Sequence, residues 1–81
     1  MKTLNDVVVE RLCQFLGERN LTQYKLAQIS NVPFPTIKSI MQKRTCGISL
    51  KTIILLANGL GMTASEFLSV PDFNAENLIL D

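Results

Sequence analysis

The sequence predicts an all-α fold, a compact domain of five short helices, and three observations carry that prediction. Apolar residues recur at helical spacing nearly throughout, and no segment sustains the period-two alternation of a half-buried strand. Side chains able to cap a helix stand ahead of successive apolar runs, at Thr3, Thr22, Ser49 and Thr63. The chain has 81 residues, enough for one domain, and its 47% hydrophobic and 19% charged residues are not the composition of a disordered chain. A chain of this length buries only about 60–65% of its unfolded surface, so the core must be small.

Thr3 with Asp6 three residues on has the form of a capping box. Val8, Leu12, Phe15 and Leu16 then share one face of a first helix that runs to about Glu18. Thr22 caps a second helix, Gln23 to about Ser30, with Leu26, Ala27 and Ile29 inward. Asn31 stands where a left-handed residue would end it. Phe34 precedes a proline, which disfavours helical dihedrals and makes it a boundary residue, and Pro35 fits the first position of a third helix. That helix extends to about Gln42 with Ile37, Ile40 and Met41 as its apolar residues. After a polar, glycine-containing connection, Ser49 caps a fourth helix through Ile53, Leu56, Ala57 and Leu60. Thr63 and Glu66 form a second capping box for a short fifth helix carrying Phe67 and Leu68, and Pro71 stops it. Residues 71–81 are read as an acidic tail following a domain over residues 1–70.

A formal net charge of +1 argues, at face value, against nucleic acid. Its distribution argues otherwise. Residues 1–18 set Lys2 and Arg11 against Asp6, Glu10 and Glu18, for −1. Residues 19–51 hold Arg19, Lys25, Lys38, Lys43, Arg44 and Lys51 with no acid, for +6. Residues 52–81 hold Glu66, Asp72, Glu76 and Asp81 with no base, for −4. Segregation of this kind builds a local positive face that attracts polyanions while the whole stays near neutral.

Several function classes lack their residues. Without histidine and without a paired carboxylate constellation, an enzyme is not expected. Cys13 and Cys46 have neither CxxC spacing nor a histidine partner, so no metal is expected, and no cofactor or small-molecule site is evident. Both cysteines are expected reduced, Cys13 as a small hydrophobe and Cys46 as a loop residue. The longest apolar run, Ile53 to Ala57, is far short of the ~20 residues of a membrane span, and no stretch of signal-peptide length follows Met1. The expected compartment is the cytoplasm, with no membrane partner.

The second and third helices, joined by about three residues, have the spacing of a helix-turn-helix, whose second helix lies in the DNA major groove. The residues sharpen this. Leu21-Thr22-Gln23-Tyr24-Lys25-Leu26-Ala27 resembles the Leu-Thr-Gln-x-x-Leu-Ala opening of helix two in the Cro/C1-type (XRE-like) helix-turn-helix family. Val32, Thr36, Ile37 and Ile40 resemble its turn and recognition helix, and Ser49 through Leu68 resembles its closing helices. The resemblance covers roughly residues 7–70 in three ordered blocks. It implies a phage-repressor-type fold and a sequence-specific DNA-binding transcriptional regulator, a repressor of prokaryotic or phage type, with double-stranded DNA as partner.

Position by position, the resemblance implies base-edge contacts from Phe34, Pro35, Lys38 and Ser39. It implies phosphate contacts from Thr22, Gln23, Thr36, Lys43, Arg44 and Thr45. Two departures stand out. Asn31 replaces a glycine, and Leu16 and Met41 occupy positions where many members carry an Arg–Glu ion pair. Both ends of that pair are apolar together, an exchange that is often neutral or stabilising. Phe34 and Pro35 cannot make the bidentate hydrogen bonds that read purines, so Phe34 is read either as a contact to a thymine methyl group or as core. Apolar residues left over at Val7 or Val9, Ile54 or Leu55, and Leu78 to Leu80 suit a homodimer interface, a self-packed tail or a foreign protein partner. The last of these makes a helical protein-interaction module, an adaptor or antitoxin-like partner, the alternative function.

Overall fold

The computed structural model describes residues 1–44 and 47–80. It is mostly helical, with five α-helices among the described residues: α1 (Leu4–Arg19), α2 (Gln23–Ser30), α3 (Phe34–Met41), α4 (Leu50–Gly59) and α5 (Ala64–Phe67). Each starts where its backbone N–H groups find an acceptor. Both capping boxes form: the Thr3 hydroxyl accepts from the Asp6 amide and the Asp6 carboxylate from the Thr3 amide, each at 3.1 Å. Thr63 and Glu66 repeat the exchange at 3.1 Å. Thr22 and Ser49 accept from the amides of Lys25 and Thr52 at 3.0 and 3.1 Å.

Helix α3 departs from the sequence reading. It begins at Phe34, one residue early, with Pro33 as its cap and the Pro33 carbonyl accepting from the amides of Thr36 and Ile37 at 2.9 and 3.2 Å. Pro35 therefore occupies the second helical position. The first four helical N–H groups have no intrahelical acceptor, so a proline there forfeits nothing and the bias against Phe34 is overridden.

Helices α1 to α4 end on left-handed residues: Asn20 (φ 53°), Asn31 (φ 60°), Lys43 (φ 58°) and Gly61 (φ 75°). At three of these the following amide reaches back five residues, Leu21 to Leu16, Arg44 to Ser39 and Met62 to Ala57, at 2.9, 2.9 and 3.0 Å. This is the Schellman arrangement, which satisfies carbonyls that the helix end leaves open.

The core gathers Leu12, Leu26, Ile37, Leu56 and Phe67, all fully buried, with Val8, Val32, Ile40 and Leu60 around them. Leu16 and Met41, the apolar replacements for the ion pair, are both half-buried against this core. Two expected inward residues are not inward. Ile29 is exposed, and the buried residues of α2 are Leu26 and Ser30. Cys13 is also exposed, so it does not serve as a core hydrophobe.

The segment after α5 closes back on the start of the chain. Two 3-10 turns, Pro71–Phe73 and Ala75–Asn77, lead into strand β2 (Leu78–Ile79), which pairs in parallel with β1 (Lys2–Thr3). The register is Lys2 with Leu78 and Thr3 with Ile79. Phe73 places its ring 6.4 Å from that of Phe67, and Leu78 is buried. Lys2 bridges the carboxylates of Glu10 and Asp72 at 2.8 and 3.2 Å. The strands were not legible as strands, because two residues cannot display an alternation and their partners lie at opposite ends of the chain.

Candidate nucleic-acid interface

Helices α2 and α3 are joined by three residues, and each is there for a reason. Asn31 makes the left-handed turn, Val32 is buried and anchors the connection, and Pro33 caps α3. The Ser30 hydroxyl donates to the Leu26 carbonyl at 2.6 Å and accepts from the Val32 amide at 3.3 Å, tying the end of α2 to the turn. Ile37 and Ile40 fix α3 against the core. Its opposite side then presents two adjacent i,i+4 rows, Phe34 with Lys38 and Pro35 with Ser39.

Those four residues are not equally available. Pro35 and Lys38 are exposed, Phe34 is 37% exposed and Ser39 is half-buried. Phe34 is neither free nor core. Its ring meets that of Tyr24 on α2 edge to face, centroids 5.6 Å apart, and the Lys38 ammonium lies 5.8 Å from the same ring. Tyr24, more than half exposed, has no role in the sequence reading. Its signal was available: it is an aromatic residue at a variable position of the helix-two opening, on no apolar row.

The phosphate candidates divide too. Thr22 is exposed with its oxygen engaged in capping, Gln23 is half-buried at the first position of α2, and Thr36 is half-buried. Lys43 pairs with Asp6 at 2.9 Å, linking the end of α3 to the first turn of α1. The Lys43 ammonium, with the Thr3 amide and hydroxyl, holds the Asp6 carboxyl down at about 2. Arg44 is exposed, and Thr45 lies outside the described residues. Cys46 and Asp81 lie outside them as well.

No known protein family, curated protein or solved structure matches the chain.

The charge distribution read from the sequence changes once partners are assigned. Of the six cations in the acid-free stretch, Arg19 donates to the Leu60 carbonyl at the end of α4 and Lys43 is paired with Asp6. Lys25 on α2, Lys38 on α3, Arg44 three residues beyond α3 and Lys51 on α4 are solvent-exposed and in none of these pairings. Arg11, outside that stretch, donates to the Phe67 and Glu66 carbonyls at 2.9 Å each and stacks 4.5 Å over Phe15, so its role is to end α5. Among the described residues, no group of three or more His, Cys, Asp or Glu is placed to hold a metal ion. No described helix is long and apolar enough to cross a membrane.

Proposed function

We propose that this chain is a cytoplasmic, sequence-specific DNA-binding regulator of repressor type, not an enzyme, in which α2 and α3 act as a helix-turn-helix. The observation that carries the reading is the disposition of α3. One face is anchored in the core, and the other offers Phe34, Pro35 and Lys38 to solvent, with Lys25 on α2 and Arg44 after α3 exposed as well. A helix held this way can enter the major groove, while the capped start of α2 and the loop after α3 contact the flanking phosphates.

The experiment is a salt titration of duplex binding. With four to five phosphates neutralised per subunit, log affinity falls against log salt with a slope of about −4. A homodimer on two half-sites would double it. Arg44→Ala flattens the slope by about one on any duplex, as expected for a phosphate contact. Absence of binding to any duplex at low salt overturns the reading.

A specific observation favours the second reading, a protein-interaction module. Leu50 and Ile54, one turn apart on α4, are 65% and 48% exposed, and Leu50 borders an apolar groove with Leu4, Ile48, Ile53 and Phe73. Such a module would bind a partner with little dependence on salt.

A further inference from the structure

An attractive face for phosphates needs cations, not aromatic rings, yet the exposed surface of α2 and α3 carries two. Tyr24 is 57% exposed and Phe34 37%, and their planes meet at 79° with centroids 5.6 Å apart. This is the edge-to-face geometry that aromatic pairs prefer, with the positive edge of one ring on the negative face of the other. Lys38 adds a cation near the Phe34 ring, 5.8 Å from its centroid. Phe34 is therefore held in place by two neighbours from two helices while keeping over a third of its surface open.

Resting on the DNA-binding reading above, we propose that Tyr24 and Phe34 form an apolar reader of thymine methyl groups. Phe34 makes the contact and Tyr24 is the positioning residue. The major-groove edge of every base pair is a row of hydrogen-bond donors and acceptors, and thymine alone adds an apolar group, its C5 methyl. Phe34 and Pro35, in the first turn of α3, have no side-chain donor or acceptor. Pressed onto adenine, guanine or cytosine, they strip water from polar groups and leave them unpaired, which is costly. Pressed onto a thymine methyl, they bury one apolar group against another, which is favourable. Lys38, exposed beside the ring, supplies the donor for an acceptor on the neighbouring base. Tyr24 enters through its ring, which packs edge to face with that of Phe34: without it Phe34 is free to leave the position that meets the methyl.

The test begins with the wild-type protein and the tightest-binding duplex selected from a random-sequence pool. That duplex is resynthesised with deoxyuridine for each thymine in turn, which deletes one methyl group and nothing else. At the contacted thymine, wild-type affinity falls about fourfold, the worth of one buried methyl-sized group. Phe34→Ala binds the thymine and deoxyuridine duplexes alike. Tyr24→Ala does the same, and Tyr24→Phe, which keeps the ring, restores the preference. A purely structural role for Tyr24 would weaken both duplexes equally and leave their ratio unchanged. If wild-type protein binds both duplexes equally at every position while the salt slope persists, the reader is overturned and the DNA-binding reading stands. If the separated strands bind as tightly as the duplex, the pair is a stacking platform for unpaired bases and the proposal is overturned. If no duplex is selected at low salt, both readings fall together.

Discussion

At the scale of single residues, the tightest constraint is a glycine that no turn requires. A Cβ placed on Gly59 would stand 2.7 Å from the Ser30 Cα and 2.9 Å from its backbone nitrogen. The close approach of α2 and α4 is therefore set by the absence of a side chain on one helix and a small one on the other. Ser30 can be buried there because its hydroxyl is satisfied by the Leu26 carbonyl and the Val32 amide. Backbone cannot yield as a flexible side chain can, so Gly59→Ala forces the helices apart and destabilises by about 1–3 kcal/mol, the range for overpacking. In a domain of this size that lowers the melting temperature by about 4–8 °C for each kcal/mol, measurable by circular dichroism. An unchanged or raised melting temperature, the usual result for Gly→Ala in an open helix, would contradict the contact.

At the scale of elements, helix ends carry both the legible and the illegible parts of the fold. The starts could be read because a capping residue and its acceptor lie three positions apart, as at Thr3–Asp6 and Thr63–Glu66. The end of α3 could not, because the left-handed position that most often falls to glycine is held here by Lys43. Its side chain is engaged by another element: Asp6 pairs with Lys43 while also accepting from Thr3. Asp6 thus serves the start of α1 and the end of α3 together, and the phosphate contact expected of Lys43 must compete with this carboxylate. The Asp6 carboxyl is lowered from 3.8 to about 2, first by Lys43 and then by the Thr3 groups. A depressed carboxylate stabilises the fold above its unfolded value and loses that contribution as pH falls through its folded value. Wild type should therefore melt above Asp6→Asn at pH 5, with the gap closing between about pH 4 and pH 2. A gap that is constant across that window would assign the difference to something other than the ionised carboxylate.

At the scale of the whole molecule, the chain's two ends hold each other. Local periodicity gives each helix from its own residues, but nothing local relates Lys2 to Leu78, so the parallel pairing and the bridge from Lys2 to Asp72 had no signature. For the same reason the sequence left open whether the acidic tail packs on its own helices or serves an interface, whereas Phe73 and Leu78 supply the apolar surface that holds it down. The side proposed to face DNA was more legible, since Lys38 and Arg44 stand in the acid-free stretch, whereas the Tyr24–Phe34 pair required two helices to be placed together. The end-to-end closure makes a definite demand on stability. Val7, which looked surplus, is buried, with Val70 and Asp72 beside it in a cleft over α1. Ending the chain after Val70 removes the burial of Leu78 and much of that of Phe73, each worth about 1.5–3 kcal/mol when complete. The Lys2–Asp72 bridge is exposed and adds little by comparison. The truncated chain should stay helical at low temperature, because every described α-helix is retained, yet melt at least about 10 °C below the full chain. Circular dichroism melts of the two chains at equal concentration make the comparison. Coincident melts would mean that residues 71–80 ride on the helices without supporting them.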